Sequence, residues 1–315
     1  MSAYGPVPSR RLGRSIGVNN IPAKTCTYSC VYCQLGRTNK LAAERREFYR
    51  PKEIFAKVKK QVETAQSNQE IIDYLTFVPD GEATLESNLQ AEIDLVRRLN
   101  IPLAILTNSS LIDHENVRTA LCDLDVVSLK VDAISERLWR RINRPHGSLK
   151  LDKILDGIAE FSNEYEGKII TETMLIDGID YSDELEKIGT FLADLNVSKA
   201  YIAIPTRPPA EEWVMPAPEE VLNEAFCIFS EKLGDERAEL LIGYEGNLFS
   251  STGDLEKDLL GITAVHPMRE EAVKKLVEKT DTTWGAVEAM LEGNQLVRLE
   301  YESEVYYMRR LPSRT

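Results

Sequence analysis

The chain has 315 residues, 43% hydrophobic and 28% charged, an ordinary globular composition that excludes a disordered polymer. At roughly 150 residues per domain, the length suggests two domains, or one α/β barrel with an appendage. The net charge of −13 conceals a split: residues 1–50 carry nine bases and two acids, +7, which leaves −20 for the rest, a balance that would repel a long polyanion.

No run of about 18 apolar residues exists. The first 24 residues lack the apolar core of a signal peptide. A cytoplasmic protein without a membrane partner is expected.

In chain order, apolar runs at residues 15–18, 74–78, 103–107, 126–131, 169–175 and 200–204 read as strands. Amphipathic segments at 52–65, 88–99, 115–121, 151–164, 183–195 and 218–233 read as helices between and after them. Such alternation implies parallel βαβ units, either an incomplete barrel or an open doubly wound sheet, with function at the C-terminal strand ends. A closed eight-unit barrel is disfavoured, because only six units can be counted. After about Gly246 the rhythm changes to two short helices (269–279 and 284–291) and two strands (296–301 and 305–309). That is the order of a winged-helix module. The division expected is a barrel over 1–250 and a winged-helix-like unit over 251–315. The second helix and the turn are acidic, so DNA binding is not expected.

Three of the five cysteines fall within eight residues, Cys26-Thr27-Tyr28-Ser29-Cys30-Val31-Tyr32-Cys33, in the loop after the first strand. Cys122 and Cys227 stand alone in apolar stretches, where burial is expected. The trio admits three readings. Free buried thiols would be oxidation-prone. Structural zinc wants four closed ligands, and no fourth lies nearby in sequence. A 4Fe–4S cluster on three thiolates would leave one iron open to a ligand.

The segment resembles the Cys-x3-Cys-x-aromatic-Cys signature of the radical S-adenosylmethionine (SAM) superfamily, with Tyr32 in the aromatic slot. The resemblance covers roughly residues 12–205. It implies a partial (βα)6 TIM-type barrel, a 4Fe–4S cluster on Cys26, Cys30 and Cys33, and SAM as the second cofactor. It also implies that Asp80-Gly81-Glu82 stands where the family has Gly-Gly-Glu, so that Glu82 would accept the SAM ammonium. Asp80 departs from that pattern. Thr107, Asn108 and Ser128 would touch the methionyl or ribose part, Asp132 could bond a ribose hydroxyl, and apolar residues around Ile204 could flank the adenine.

Alternation puts Ser128, Lys130 and Asp132 on one strand face. Lys130 reads as half of a structural ion pair, or as a substrate ligand or Schiff-base amine. Glu172 reads as an acid/base or substrate ligand, or as a buried ion pair. Arg207 at a strand end could grip a carboxylate or phosphate. Arg10, Arg11 and Arg14 read either as a lining of the barrel that binds an anion or as a solvated basic arm.

Residues 4–15, 33–38 and 263–268 are similar to a narrower group, the radical SAM proteins likened to the tRNA wyosine-synthesis enzyme. That enzyme holds a second cluster on cysteines before the motif, and this chain has none before Cys26. The expectation is a radical SAM enzyme of oxidoreductase or transferase type. A donor such as flavodoxin or ferredoxin would supply one electron, and the resulting 5′-deoxyadenosyl radical would take hydrogen from an unidentified small or protein substrate. The alternatives are a tRNA-modifying enzyme acting through the basic arm, which the acidic remainder disfavours, and a non-enzymatic metal-binding interaction protein.

Overall fold

A computed structural model describes residues 2–243, 249 and 251–310. It opens with an antiparallel hairpin, β1 (Ala3–Ser9) against β2 (Gly13–Val18). A long loop follows, stitched by a short parallel pair, β3 (Thr25–Cys26) and β4 (Lys40–Leu41). Helix and strand then alternate through α1 (Pro51–Ser67), β5 (Tyr74–Phe77), α2 (Leu89–Val96), β6 (Leu103–Thr107), α3 (Glu115–Cys122) and β7 (Val126–Lys130). Two helices, α4 (Glu136–Ile142) and α5 (Leu151–Glu164), lead to β8 (Lys168–Met174), α6 (Glu184–Ala193), β9 (Val197–Ala203), α7 (Glu219–Leu233) and β10 (Ala238–Leu241).

The strand order is β1-β2-β5-β6-β7-β8-β9-β10. All neighbours are parallel except β1 with β2. The edges β1 and β10 do not pair with each other among the described residues, so the sheet curls into a partial TIM-type barrel rather than a closed one. All six expected strands are present, and β1 and β10 extend the sheet at its two edges. β1 contains Pro6 and Pro8, which cannot donate to a ladder and therefore suit an edge strand.

Alternation sorts the strand side chains. Val127, Leu129, Ile169, Ala200 and Ile202 face outward and pack with the helices. Ile54, Val58, Val62 and Ala65, spaced three and four apart on α1, supply part of that layer. Ala104, Val126, Ile170, Tyr201 and Ala203 face inward with Leu12 and Leu241. The inner face of β7 and β8 continues upward as Ser128, Lys130, Glu172 and Met174, with Lys130 level with Glu172.

Beyond the barrel lie α8 (Leu255–Val265), β11 (Met268–Arg269), α9 (Glu270–Lys279), α10 (Trp284–Glu292), β12 (Leu296–Tyr301) and β13 (Glu304–Arg309), with sheet order β11-β13-β12. The expected pair of helices and hairpin are there, preceded by α8 and β11. Their core includes Leu259, Met268, Val273, Leu276 and Val287, and it takes Tyr4 and Val7 from β1. Residue 250, the expected last residue of the barrel, lies outside the described residues. Cys122 and Cys227 are exposed, contrary to expectation. Cys122 closes α3 on its outer side, and Cys227 lies off the buried stripe of α7 formed by Leu222, Ala225, Phe229 and Leu233. No helix among the described residues is long and apolar enough to cross a membrane.

Candidate active site

The cysteine loop is pinned from two sides. Against α4 and the turn after it, the Ser29 and Val31 amides donate to the carbonyls of Asn143 and Ile142, and the His146 amide donates to Thr27. Trp139 donates its indole N–H to the Tyr28 hydroxyl at 3.1 Å, with the two rings edge to face. Farther along the loop, Arg37 grips Glu211 with two guanidinium bonds, at 2.8 and 2.9 Å, and Arg144 reaches the same carboxylate at 2.6 Å. Burial, with Glu82 and the other two thiols close by, pushes the Cys26 thiol well above its usual range. Burial, with Asp132 and Cys33 near, pushes Cys30 up to about 12. The three thiols therefore lie within electrostatic reach of one another. Side-chain amides of Asn108 and Asn143 each lie 3.5 Å from a sulfur, Cys26 Sγ and Cys30 Sγ respectively.

Among the described residues, no three His, Cys, Asp or Glu side chains meet closely enough to hold a single metal ion. The donor set suits a 4Fe–4S cluster instead. Thiolates are its standard ligands, each on its own iron, so they need not converge on one point. Zinc's closed site would require a fourth donor.

The loop after β5 presses on the cysteine loop. Lys24 donates its amide to the Asp80 carbonyl at 2.6 Å, and Glu82 donates its own to the Thr25 carbonyl at 3.1 Å. A Cβ on Gly81 would stand 1.9 Å from that Thr25 oxygen, so only glycine fits. Neither Asp80 nor Gly81 has a positive φ, so Asp80 in place of a glycine strains no backbone. Burial raises the Asp80 carboxyl to about 6, against a bond from Asn19.

Glu82 is 2% exposed. Its carboxylate accepts from the Thr84 amide and hydroxyl, the Thr107 hydroxyl at 2.6 Å and the Asn108 amide at 2.8 Å. No cation among the described residues forms an ion pair with it. Burial raises its pKa, and these bonds pull the other way. A buried carboxylate with donors arrayed around it and no counter-ion fits the ammonium of SAM.

Inside the barrel, Glu172 is bonded by both Arg11 and Lys130. Burial would raise the Glu172 carboxyl, but the two cations win and hold it down at about 2. Burial lowers Lys130, but Glu172 and Asp132 override it, so the net shift is upward and the amine stays an ammonium. Neither group is in the state that a Schiff-base amine or a general acid requires. The Lys130 ammonium also lies 4.8 Å from the centre of the Tyr32 ring. Asp132 is fully engaged: it accepts from the Tyr32 hydroxyl, from the Asn143 amide at 2.7 Å and from the Met174 backbone at 2.9 Å. Ser128 is buried on the inner face, one register step below Lys130.

Arg10 and Arg11 do not form a solvated arm. The Arg10 guanidinium, in the turn after β1, donates to the Leu241 carbonyl at 2.7 Å, spanning the gap to β10. Only Arg14 of the three is exposed. Arg207 donates to Gln34, one residue past Cys33, at 2.7 Å, and meets His266 Nε2 at 3.1 Å. The loop carrying it is braced by the C-terminal unit, whose Tyr301 and Tyr306 hydroxyls donate to the Pro205 and Thr206 carbonyls. A cavity of about 240 Å³ opens between these groups, lined among others by Arg11, Cys33, Lys130, Glu172, Ile204 and Arg207.

Residues 20–191 match the radical SAM superfamily. The chain belongs to that superfamily. A UPF0026 protein of Methanocaldococcus jannaschii is 48% identical over 313 residues, 99% of this chain and 97% of the relative. A UPF0026 protein of Helicobacter pylori is 32% identical over 76% of this chain and 79% of its own length. These relatives carry the UPF0026 name, not that of the wyosine enzyme. Among solved structures, a radical SAM methyltransferase from Sphaerobacter thermophilus aligns with a TM-score of 0.56 at 15% identity, over 72% of this chain and 66% of that one. SuiB of Streptococcus suis bound to SAM aligns with a TM-score of 0.53 at 14% identity, over 78% of this chain and 56% of that one. Bound to its precursor peptide, SuiB matches over 71% of this chain, which spans about half its length (47%). Membership makes the protein a radical SAM enzyme, and the cofactors of that superfamily are SAM and a 4Fe–4S cluster.

The structure thus brings together Cys26, Cys30, Cys33, Tyr32, Gly81, Glu82, Thr107, Asn108 and Asp132 around the loop, and Lys130, Glu172, Ile204 and Arg207 around the cavity. Asn143 escaped the sequence analysis altogether. Its side-chain amide donates to Cys30 Sγ, the Tyr32 hydroxyl and Asp132 from the end of α4, a helix of only seven residues. Gln34 and His266 also went unassigned, because both act through contacts distant in sequence.

Proposed function

We propose that Cys26, Cys30 and Cys33 hold the cluster, that Glu82 receives the SAM ammonium, and that the substrate enters the cavity between Lys130 and Arg207. The observation that carries this is the buried Glu82 carboxylate, joined through Asn108 to a cluster thiol. Held by these residues and given one electron, the cluster and SAM would supply radical chemistry able to remove a hydrogen atom from the substrate.

The chain supplies position and dryness. Thr107 and Asn108 fix Glu82. Asn108 and Asn143 direct amide hydrogens at sulfur, a stabilising contact for thiolates. Asp132 orients Tyr32, a member of the cysteine loop, against the Lys130 ammonium. Ser128 and Ile204 wall the space left for the methionyl, ribose and adenine parts. Residues 1–250 carry the chemistry, and 251–315 brace the loop that bears Arg207. A donor such as flavodoxin or ferredoxin would supply the electron, in a reducing cytoplasm. The tRNA-directed alternative draws no support from Arg10 and Arg11, which are folded into the barrel.

The test is anaerobic reconstitution. About four irons and four sulfides per chain are expected, with dithionite-driven formation of 5′-deoxyadenosine. Cys30→Ala should lose both, while Cys122→Ser and Cys227→Ser should keep both. Tightly bound zinc without SAM cleavage would overturn the proposal.

A further inference from the structure

Glu92 lies on α2 and is wholly buried, yet it belongs neither to the cysteine loop nor to the cavity. Its partner Asn20, two residues past β2, is equally buried. The Asn20 side-chain amide donates to Glu92 Oε2 at 2.9 Å and to the Ala83 carbonyl at 3.4 Å. Those two bonds use both amide hydrogens. The other oxygen of each group, Glu92 Oε1 and Asn20 Oδ1, meets no donor among the described residues. Two orphaned acceptors in one dry place are costly, and an ionised carboxylate makes them more so. A single proton on the carboxyl removes both faults. A carboxylic acid and a primary amide are complementary, each offering one donor and one acceptor.

The surroundings favour that proton. Burial, with the buried Glu86 carboxylate nearby, raises the Glu92 carboxyl to about 8. Arg45 runs beside Glu86 but donates to the Thr84 and Glu86 carbonyls, not to a carboxylate. Among the described residues, the elements packed on α2 bring Glu92 no cation. The buried residues of α1 are Ile54, Val58, Val62 and Ala65, those of α3 are Val117, Ala120 and Leu121, and Arg97 and Arg98 past the end of α2 are exposed. Asn20 carries the link to the SAM loop. Ala83, whose carbonyl it holds, directly follows Glu82, and the adjoining Asn19 accepts from the Asp80 amide at 3.3 Å.

We propose that Glu92 is a positioning residue for SAM: as a neutral acid it donates from Oε1 to Asn20 Oδ1, closes a two-bond ring with that amide, and through the Ala83 carbonyl sets the loop that carries Glu82. Ionisation leaves two acceptors without a hydrogen between them, which turns the Asn20 amide away and frees Ala83. This rests on Glu82 as the acceptor of the SAM ammonium, and it adds the remote group that holds Glu82 in place.

Glu92→Gln is the discriminating variant, because glutamine offers Asn20 the same donor and acceptor and cannot ionise. SAM affinity is measured by calorimetry from pH 6.5 to pH 9 in cluster-loaded wild type, Glu92→Gln and Glu92→Met. Wild type and Glu92→Gln should bind alike at pH 6.5, and by pH 9 wild type should be at least threefold the weaker. Glu92→Met, which fills the space without the ring, should bind more weakly than Glu92→Gln by a factor that does not change with pH. SAM's own titration is common to all three and cancels in the ratios. Infrared difference spectra of wild type against Glu92→Gln at pH 7 should show the band of a protonated carboxyl, with or without SAM. The proposal is overturned if that band is absent, or if the ratio of wild type to Glu92→Gln is the same at every pH. Weaker binding by Glu92→Gln already at pH 6.5 also overturns it, since the ionised carboxylate would then be the working form. A protonated band with no SAM binding in any of the three, iron content intact, defeats the assignment of Glu82 and the positioning role with it; SAM binding that ignores Glu92 defeats the positioning role alone.

Discussion

Gly81 lies against Thr25 so closely that a Cβ on the glycine would stand 1.9 Å from the threonine carbonyl oxygen. Two loops distant in sequence are thereby set in a fixed register, one carrying Cys26 and the other Glu82. Gly81→Ala must push them apart. Overpacking of this kind costs about 1–3 kcal/mol. We expect a lower melting temperature, and SAM affinity at least tenfold weaker by calorimetry in protein matched for iron content. Unchanged affinity would mean that the two loops are not mechanically coupled.

Glu82→Gln keeps the shape of the side chain and removes its charge. A hydrogen bond to a charged group is worth about 1.5–3 kcal/mol, so SAM should bind roughly ten- to a hundredfold more weakly. The iron content and the visible spectrum of the cluster should not change. Parallel loss of cluster and SAM would show that Glu82 is a folding residue instead.

Glu172 is paired with both Arg11 and Lys130. Removing one member of a buried ion pair costs about 3–5 kcal/mol, and Glu172→Gln should show it in denaturant melts at pH 7. Because the folded carboxyl is held at about 2, its contribution is present above the unfolded value near 4.5. It is lost as pH falls toward 2. The gap between wild type and variant should therefore narrow across that window, and a gap independent of pH would contradict the assignment.

Glu92 works in the opposite sense. Burial on α2 raises its carboxyl to about 8, although Asn20 donates to it at 2.9 Å. Ionisation is then easier in the unfolded chain than in the folded one, so this group weakens the fold as pH rises from about 4.5 toward 8. Glu92→Gln retains an acceptor for Asn20 and should raise the melting temperature at pH 8, with little effect at pH 4. Destabilisation at pH 8 would refute it.

Much of this was legible in the sequence. The six central strands stand out as apolar runs between turn residues, and the cysteine spacing singles out one loop. What escaped has physical reasons. β1 is broken by two prolines and pairs only on one side. β10 has four residues, one of them Glu239, and α4 has seven, so neither carries enough residues for a period to show. The candidate site was legible where its residues sit in a local motif, as at Cys26 or Glu82. It was not where the partner is remote: no pattern near Arg11 announces Glu172, and none near Arg207 announces His266.

Tyr4 and Val7 sit in the same apolar core as α8, α9 and β13. The first strand of the chain therefore completes a unit made by the last. Cutting the protein near residue 250 would not release an independent barrel. It would bare the face that Tyr4 and Val7 now share, and it would untie the loop that aims Arg207. During synthesis β1 waits for residues 249–307 before the face bearing Tyr4 and Val7 is covered, so the nascent chain should be open to proteases until that stretch has emerged.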